Sequence, residues 1–165
     1  MYKRALVPLD GSPVAETIIP FILEIAGPLD IEVVLLRVVE PIPATVLEEP
    51  RHIDVENVEQ RRIAEEYLAP IAVELRNKGV RVESQVRRGN PADQIVAAAR
   101  ERGADLIAMS THGRGGLGRL ILGSVAESVL RGTTTPILLL RAPEAPIEIP
   151  KGAGQARPAK ERPNV

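Results

Sequence analysis

A doubly wound α/β domain on a parallel sheet is the fold that this 165-residue sequence predicts. Three observations predict it. Short apolar runs alternate along the chain with segments of helical period. Most of those runs are apolar almost throughout, the mark of strands covered by helices on both faces. Each helical segment carries its own start or stop signals.

The first strand is Ala5 to Leu9 and the second is Ile31 to Val39. Val80 to Val86 alternates with period two and is more polar, so it belongs at an edge. Asp105 to Met109 is the fourth strand and Pro136 to Leu140 the fifth. Ser12-Pro13 sets an N-cap ahead of a proline at the first helical position, and Asn90-Pro91 repeats the device. A long helix is expected from about Asp54 to Lys78, ended by Gly79. Ser124 and Glu127 have the spacing of a capping box. Gly27, Gly103 and Gly132 mark helix ends, while Pro20 and Pro70 should kink their helices or end them early. The resulting order is β-α-β-α-β-α-β-α-β, with helices on both faces of the sheet.

Two segments fall outside this rhythm. Glu40 to about Ile53 contains Pro41, Pro43 and Pro50 and reads as a long loop or lid. From residue 142 onward prolines recur at 143, 146, 150, 158 and 163, a composition that forms no core. The expectation is one domain over 1–141 and an extended or disordered tail over 142–165.

Composition narrows the function classes. With a net charge of -1 and three aromatic residues, Tyr2, Phe21 and Tyr67, the chain lacks both the basic field and the stacking platforms of a nucleic-acid binder. There is no cysteine, which excludes disulfides, thiolate metal sites and cysteine nucleophiles. No apolar run approaches the ~20 residues that cross a bilayer. Met1-Tyr2-Lys3-Arg4 leads straight into a strand with no signal-peptide pattern. A soluble, cytoplasmic protein without nucleic-acid or membrane partners is expected.

The most informative stretch is 110–124, with glycines at 113, 115, 116, 118 and 123 and arginines at 114 and 119; no acid occurs from Leu106 to Ala126. Glycine-lined backbone lets N–H groups approach an anion closely, and a helix N-terminus adds partial positive charge. Nucleotide phosphates are expected here. Gly113, Gly115 and Gly118 spell G-x-G-x-x-G, but after the fourth strand rather than the first and with no acid where a ribose ligand would stand. No lysine completes a P-loop. Ser124 can cap its helix and still leave N–H groups free for phosphate. Asp10 lies at the carboxyl end of the first strand, placed either to bind ribose hydroxyls, to hold Mg²⁺ or Mn²⁺ against phosphates, or only to close its own turn. Pro8 and Val38 read from composition as core residues, although strand backbone there can pair with a base edge. His112 has only His52 as a fellow histidine and no acidic neighbour, so it does not read as a metal ligand. No G-x-S-x-G elbow accompanies Ser12, Ser110 or Ser124. The third strand ends without the aspartate of a receiver domain.

Pro8-Leu9-Asp10-Gly11-Ser12, Leu106 to Gly113, Gly123 to Glu127 and Pro136 to Leu140 together resemble the universal stress protein family, over Met1 to about Arg141. Gly113, nine residues, Gly123 and Ser124 match the second half of that family's ATP motif, G-x2-G-x9-G-[ST]. Its first glycine falls on Ser110, a departure: serine is small, but it does not tolerate a glycine-only backbone angle. The resemblance implies a five-stranded parallel sheet of order 3-2-1-4-5 with ATP across the ends of strands one and four. It implies that Pro8, Asp10 and Val38 face adenosine and that Gly113, Gly123, Ser124 and Val125 hold phosphates. Met109, Ser110, His112 and Arg114 complete the expected contacts, with Mg²⁺ or Mn²⁺ at Asp10. It also implies a homodimer paired through the fifth strand, 136–140, and an apolar edge strand independently needs a cover. The expected function is an ATP-binding stress or signalling module that switches with nucleotide. The alternatives are a slow ATPase or other nucleotide-acting enzyme of the same fold, and a ligand-free dimeric scaffold.

Overall fold

The computed structural model describes residues 1–41, 50–111 and 122–142, with the backbone alone described for 50–55. Residues 42–49 of the expected lid and 143–165 of the expected tail lie outside them. In chain order the elements are β1 (Arg4–Pro8), α1 (Pro13–Glu16), α2 (Ile18–Ala26), β2 (Glu32–Val39), α3 (Pro50–Asn77), β3 (Val82–Arg88), α4 (Pro91–Arg102), β4 (Leu106–Thr111), α5 (Ser124–Gly132) and β5 (Ile137–Arg141). The strands form one parallel sheet of order β3-β2-β1-β4-β5, as expected.

The period-two geometry of the strands sorts the core into two layers. Ala5, Val7, Val33, Leu35 and Ala108 pack with Ile18, Ile22, Leu68 and Leu75 of α2 and α3. Leu6, Val34, Leu36, Val38, Ile107 and Met109 pack with Ile95, Ala98, Ala99, Ala126 and Val129 of α4 and α5. Burying each of the larger aliphatic side chains stabilises the fold by about 1.5–3 kcal/mol. β3 is indeed an edge strand, and its residues are at most half-buried.

Pro20 interrupts its helical segment as expected, Pro70 does not end its helix, and the start of α3 and the cap of α5 differ from expectation. The helix opened by Ser12 breaks at Thr17 and restarts as α2. Pro20 has no N–H to give the carbonyl of Glu16, and its ring crowds that carbonyl, so the break falls just ahead of the proline. Pro70, by contrast, lies within α3 without ending it, and α3 begins at Pro50 rather than near Asp54. Ser124 is not an N-cap: Gly123 caps α5 with no side-chain hydrogen bond, and Glu127 bonds Arg131 one turn on (2.9 Å) instead of closing a capping box. The N-caps at Ser12 and Asn90 form as expected, accepting from the N–H groups of Ala15 (3.1 Å) and Asp93 (3.2 Å).

At the amino ends of the strands, Asp105 ties β4 to β1. Its carboxylate accepts the backbone N–H of Lys3 (2.8 Å) and of Arg4 (3.0 Å), and its own N–H donates to the Arg4 carbonyl (3.0 Å). Burial alone would raise the Asp105 pKa, but the N–H groups of Arg4 and Lys3 outweigh it and hold the carboxyl below its ordinary value. A depressed carboxyl pKa contributes stability that is complete above the unfolded-state value, about 4, and lost as pH falls through the folded-state value. Asp105→Asn should therefore lower stability by about 1–2 kcal/mol at neutral pH. Denaturant titrations should show this difference shrinking below about pH 4.

Candidate functional site

A cleft opens at the carboxyl ends of the strands because the central strand stops first. β1 pairs with β2 as far as Pro8 opposite Leu36, and with β4 only as far as Leu6 opposite Ile107. β4 runs on beside β5 to Thr111 opposite Arg141, and β2 beside β3 to Val39 opposite Arg88. The Leu9 N–H closes the last link, to the Leu36 carbonyl (2.8 Å), and the chain then turns away. This is where the strand order reverses, the place at which open α/β sheets take ligands. The cavity there is about 280 Å³, and Pro8, Asp10, Val38, Met109, Ser110, Gly123, Ser124 and Val125 all line it.

On the α4–α5 side the wall is apolar, formed by Pro8, Val38, Ile95 and Met109. One feature of this wall is polar. In a parallel strand, alternate residues turn both their N–H and C=O to the same neighbour. Val33 and Val39 bond toward β3, and Leu36 bonds toward β1. Val38 therefore presents its backbone N–H and C=O toward β1, beyond the point at which β1 has ended. A donor and an acceptor side by side on an apolar wall match the edge of a heteroaromatic base.

Opposite lies the start of α5. Its first N–H groups have no intrahelical partner, and among the described residues no side chain caps them. The Gly123 N–H donates to Thr111 Oγ1 (3.2 Å), which ties the helix start to the end of β4. Gly123 has ordinary extended backbone (φ -59°, ψ 150°), so conformation does not require glycine here. A Cβ would meet Thr111 Oγ1 at 3.6 Å, ordinary contact, at a residue that lines the cleft.

Asp10 lies on the turn that ends β1. Its Oδ1 accepts the Ser12 N–H (2.8 Å), and Gly11 supplies the positive φ of 83° that this turn needs. Burial pushes the Asp10 pKa up, but hydrogen bonds from Ser12 and the nearby Arg37 charge outweigh it, so the carboxyl titrates below its ordinary value. One carboxylate oxygen is thus held by the turn and the other is open to the cleft. Among the described residues no group of three or more His, Asp and Glu side chains lies together as a preformed metal site.

Ser110 has no positive φ, so its place in β4 makes no demand that only glycine meets. Its hydroxyl points to the α1–α2 side, with Oγ 2.8 Å from Thr17 Oγ1. The Thr17 hydroxyl has one proton and lies 2.7 Å from the Val14 carbonyl, so Ser110 supplies the proton between the two side chains. The serine is turned away from the start of α5. His112, Gly113 and Arg114 lie outside the described residues, as does Arg119.

Nine of the described residues that line the cavity escaped the sequence reading, the charged ones being Arg37 and Glu40. Arg37 lines the cavity from the α3-facing side of β2, half-buried, close to Asp10 and Tyr67. The signal that could have found it is a lone charge in the interior of an otherwise apolar strand, Val33 to Val39.

These features define an α/β domain with a cleft at its switch point, one wall an open strand edge and the other the start of a helix. The profile of the universal stress protein family matches residues 1–141. Universal stress protein MJ0531 of Methanocaldococcus jannaschii is 32% identical over 144 residues, covering 87% of this chain and 85% of that protein. The solved structure of protein MJ0577 of the same organism superposes with a TM-score of 0.72 at 27% identity, covering 88% of this chain and 99% of that one. A universal stress protein from Archaeoglobus fulgidus, solved in complex with dAMP, shares the fold at 21% identity and a TM-score of 0.58, covering 85% of this chain and 98% of that one. The chain belongs to the universal stress protein family.

Proposed function

We propose that the cleft binds an adenine nucleotide, ATP foremost, and that the protein is a nucleotide-dependent switch of the stress-response or signalling kind. The observation that carries this reading is the open Val38 edge on one wall of the cleft facing the uncapped start of α5 on the other. Adenine would lie on the apolar wall against Pro8, Val38 and Met109, with its edge on the Val38 backbone. The ribose would meet the open oxygen of Asp10. The 5′-phosphates would meet the N–H groups of Ser124 and Val125, where the helix dipole favours negative charge. Gly113, His112 and Arg114 would complete the phosphate side. The dAMP bound by the fold relative from Archaeoglobus fulgidus is of the same ligand class.

Mg²⁺ or Mn²⁺ fits at Asp10 only as a shared ion, one carboxylate oxygen plus phosphate oxygens of the nucleotide, the usual arrangement for Mg²⁺. When bound, such an ion would offset phosphate charge. No described side chain is placed to activate water against a terminal phosphate, so the switch reading is preferred to an ATPase. Nucleotide state would be read by a partner through the lid and the 112–121 segment. The domain would end at Arg141, with 142–165 an appended tail in the cytoplasm.

The reading includes a homodimer through β5. That edge strand is Ile137-Leu138-Leu139-Leu140-Arg141, whereas the opposite edge, β3, carries Glu83, Arg87 and Arg88 and is protected against pairing. Leu139 on β5 and Leu130 on α5 are both exposed. Pairing two β5 edges would cover them.

Calorimetric titration with ATP and Mg²⁺ should show saturable binding, and Gly123→Val should weaken it at least about tenfold with the melting temperature little changed, since the new side chain would occupy phosphate space and its Cβ makes only ordinary contact. Absence of binding to the wild-type chain, or equal binding by the variant, would overturn the nucleotide reading. Leu139→Asp should sediment as a monomer at concentrations where the wild type is a dimer; an unchanged mass would remove β5 from the interface.

A further inference from the structure

The cleft has a second electropositive group that the nucleotide reading does not use. Arg37 projects from β2 on the face opposite Val38, and its Nη2 lies 3.9 Å from where a Cβ on Gly11 would be, over the turn that ends β1. The guanidinium has five N–H donors. Among the described residues none of them has a hydrogen-bond or ion-pair partner, whereas Arg4, Arg81, Arg87 and Arg102 are all engaged by carboxylates. Asp10 is near enough to feel the charge but makes no salt bridge with it, because its Oδ1 is held by Ser12. Tyr67, another polar neighbour, donates its hydroxyl to Glu16 (2.9 Å), and among the described residues no hydrogen bond joins it to Arg37. A half-buried arginine with unmade hydrogen bonds in a cleft wall is a site for an anion.

The geometry points to Arg37 as a receptor for a phosphate on the ribose, so that the cleft selects adenine nucleotides phosphorylated at the 2′ or 3′ position as well as at 5′. This rests on the adenine-nucleotide reading and adds a substrate class to it. Asp10 and Arg37 are complementary requirements on one sugar. A carboxylate with one open oxygen accepts from a free hydroxyl, and an adjacent arginine takes a phosphate, the division by which dinucleotide folds tell a plain ribose from a 2′-phosphorylated one. A ribose bearing one phosphate and one free hydroxyl satisfies both groups together. The Arg37 charge also offsets the repulsion between that phosphate and Asp10. The 5′-phosphate keeps its place at the start of α5, at the other end of the same cavity.

The test is calorimetric titration of the full chain with AMP, adenosine 2′,5′-bisphosphate and adenosine 3′,5′-bisphosphate, on the wild type, Arg37→Gln and Arg37→Lys. At least one bisphosphate should bind the wild type about tenfold or more tightly than AMP, the scale of a charge-assisted hydrogen bond. Arg37→Gln should bring that ratio close to one, and Arg37→Lys, which keeps the charge without the planar fork, should retain part of it. The arms with 2′- and 3′-phosphate show which position is read. AMP binding with no preference for either bisphosphate overturns this inference and leaves the nucleotide reading standing; so does a preference that survives Arg37→Gln. Failure of all three ligands to bind overturns this inference, and failure of ATP with Mg²⁺ as well overturns both. Melting temperatures of the two variants, expected within a few degrees of the wild type, separate lost selectivity from lost fold.

Discussion

The central strand of the sheet is shorter at its carboxyl end than the strands on either side. β1 stops at Pro8, while β2 and β4 continue to Val39 and Thr111. Everything at the site depends on this termination. It leaves the Val38 backbone without a strand partner on the β1 side, makes room between β2 and β4, and brings Asp10 to the floor of the gap on a turn closed by the Ser12 N–H. The turn requires a positive φ, which Gly11 provides, so a single glycine fixes where the cleft begins. Buried backbone polar groups left without partners are costly, which is why an open strand edge beside an apolar wall implies that something pairs with it.

The walls of the gap come from opposite sides of the sheet. Val38 and Met109 belong to the layer packed under α4 and α5, and they are apolar because that layer is core. Arg37 and Ser110 belong to the other face, and both are polar at the same level of the sheet. Strand alternation alone produces this arrangement. The cleft therefore combines a surface for a flat apolar group with charged and hydroxylic groups a short distance away, and the helix start closes the third side. The remote pairing of Asp105 with Lys3 and Arg4 holds the other end of β1 against β4, so the register that sets the gap is fixed from below.

The fold was legible because its signals are local and strong. Apolar strands, Ser12-Pro13, Asn90-Pro91 and the terminal glycines each act within a few residues. Of the two outcomes expected at Pro70, ending the helix is not the one seen, because a proline deep in a pattern need not end a helix that is held by tertiary packing, here through Leu68, Ala72 and Leu75. Ser124 misled because serine and glycine compete for the cap, and Gly123 occupies it. At the site, Pro8, Asp10, Val38, Met109, Ser110, Gly123, Ser124 and Val125 were legible as residues, and the structure brings them to one cavity. What sequence could not supply was direction. That Ser110 turns toward Thr17, and that the Val38 N–H and C=O point toward the gap, follow only from strand register. Arg37 was missed because an isolated arginine in a strand reads as a solvated edge until its face of the sheet is known.

The central claim is that unpaired backbone groups at the end of β2 and the start of α5 take one ligand between them. Amide proton–nitrogen spectra of the labelled chain, recorded during titration with ATP and Mg²⁺, test this most directly. The account predicts saturable shifts at Val38, Ser124 and Val125, with the amides of Lys3 and Asp105 at the opposite end of the sheet unmoved. Saturable binding whose shifts cluster elsewhere and spare those three amides would contradict it.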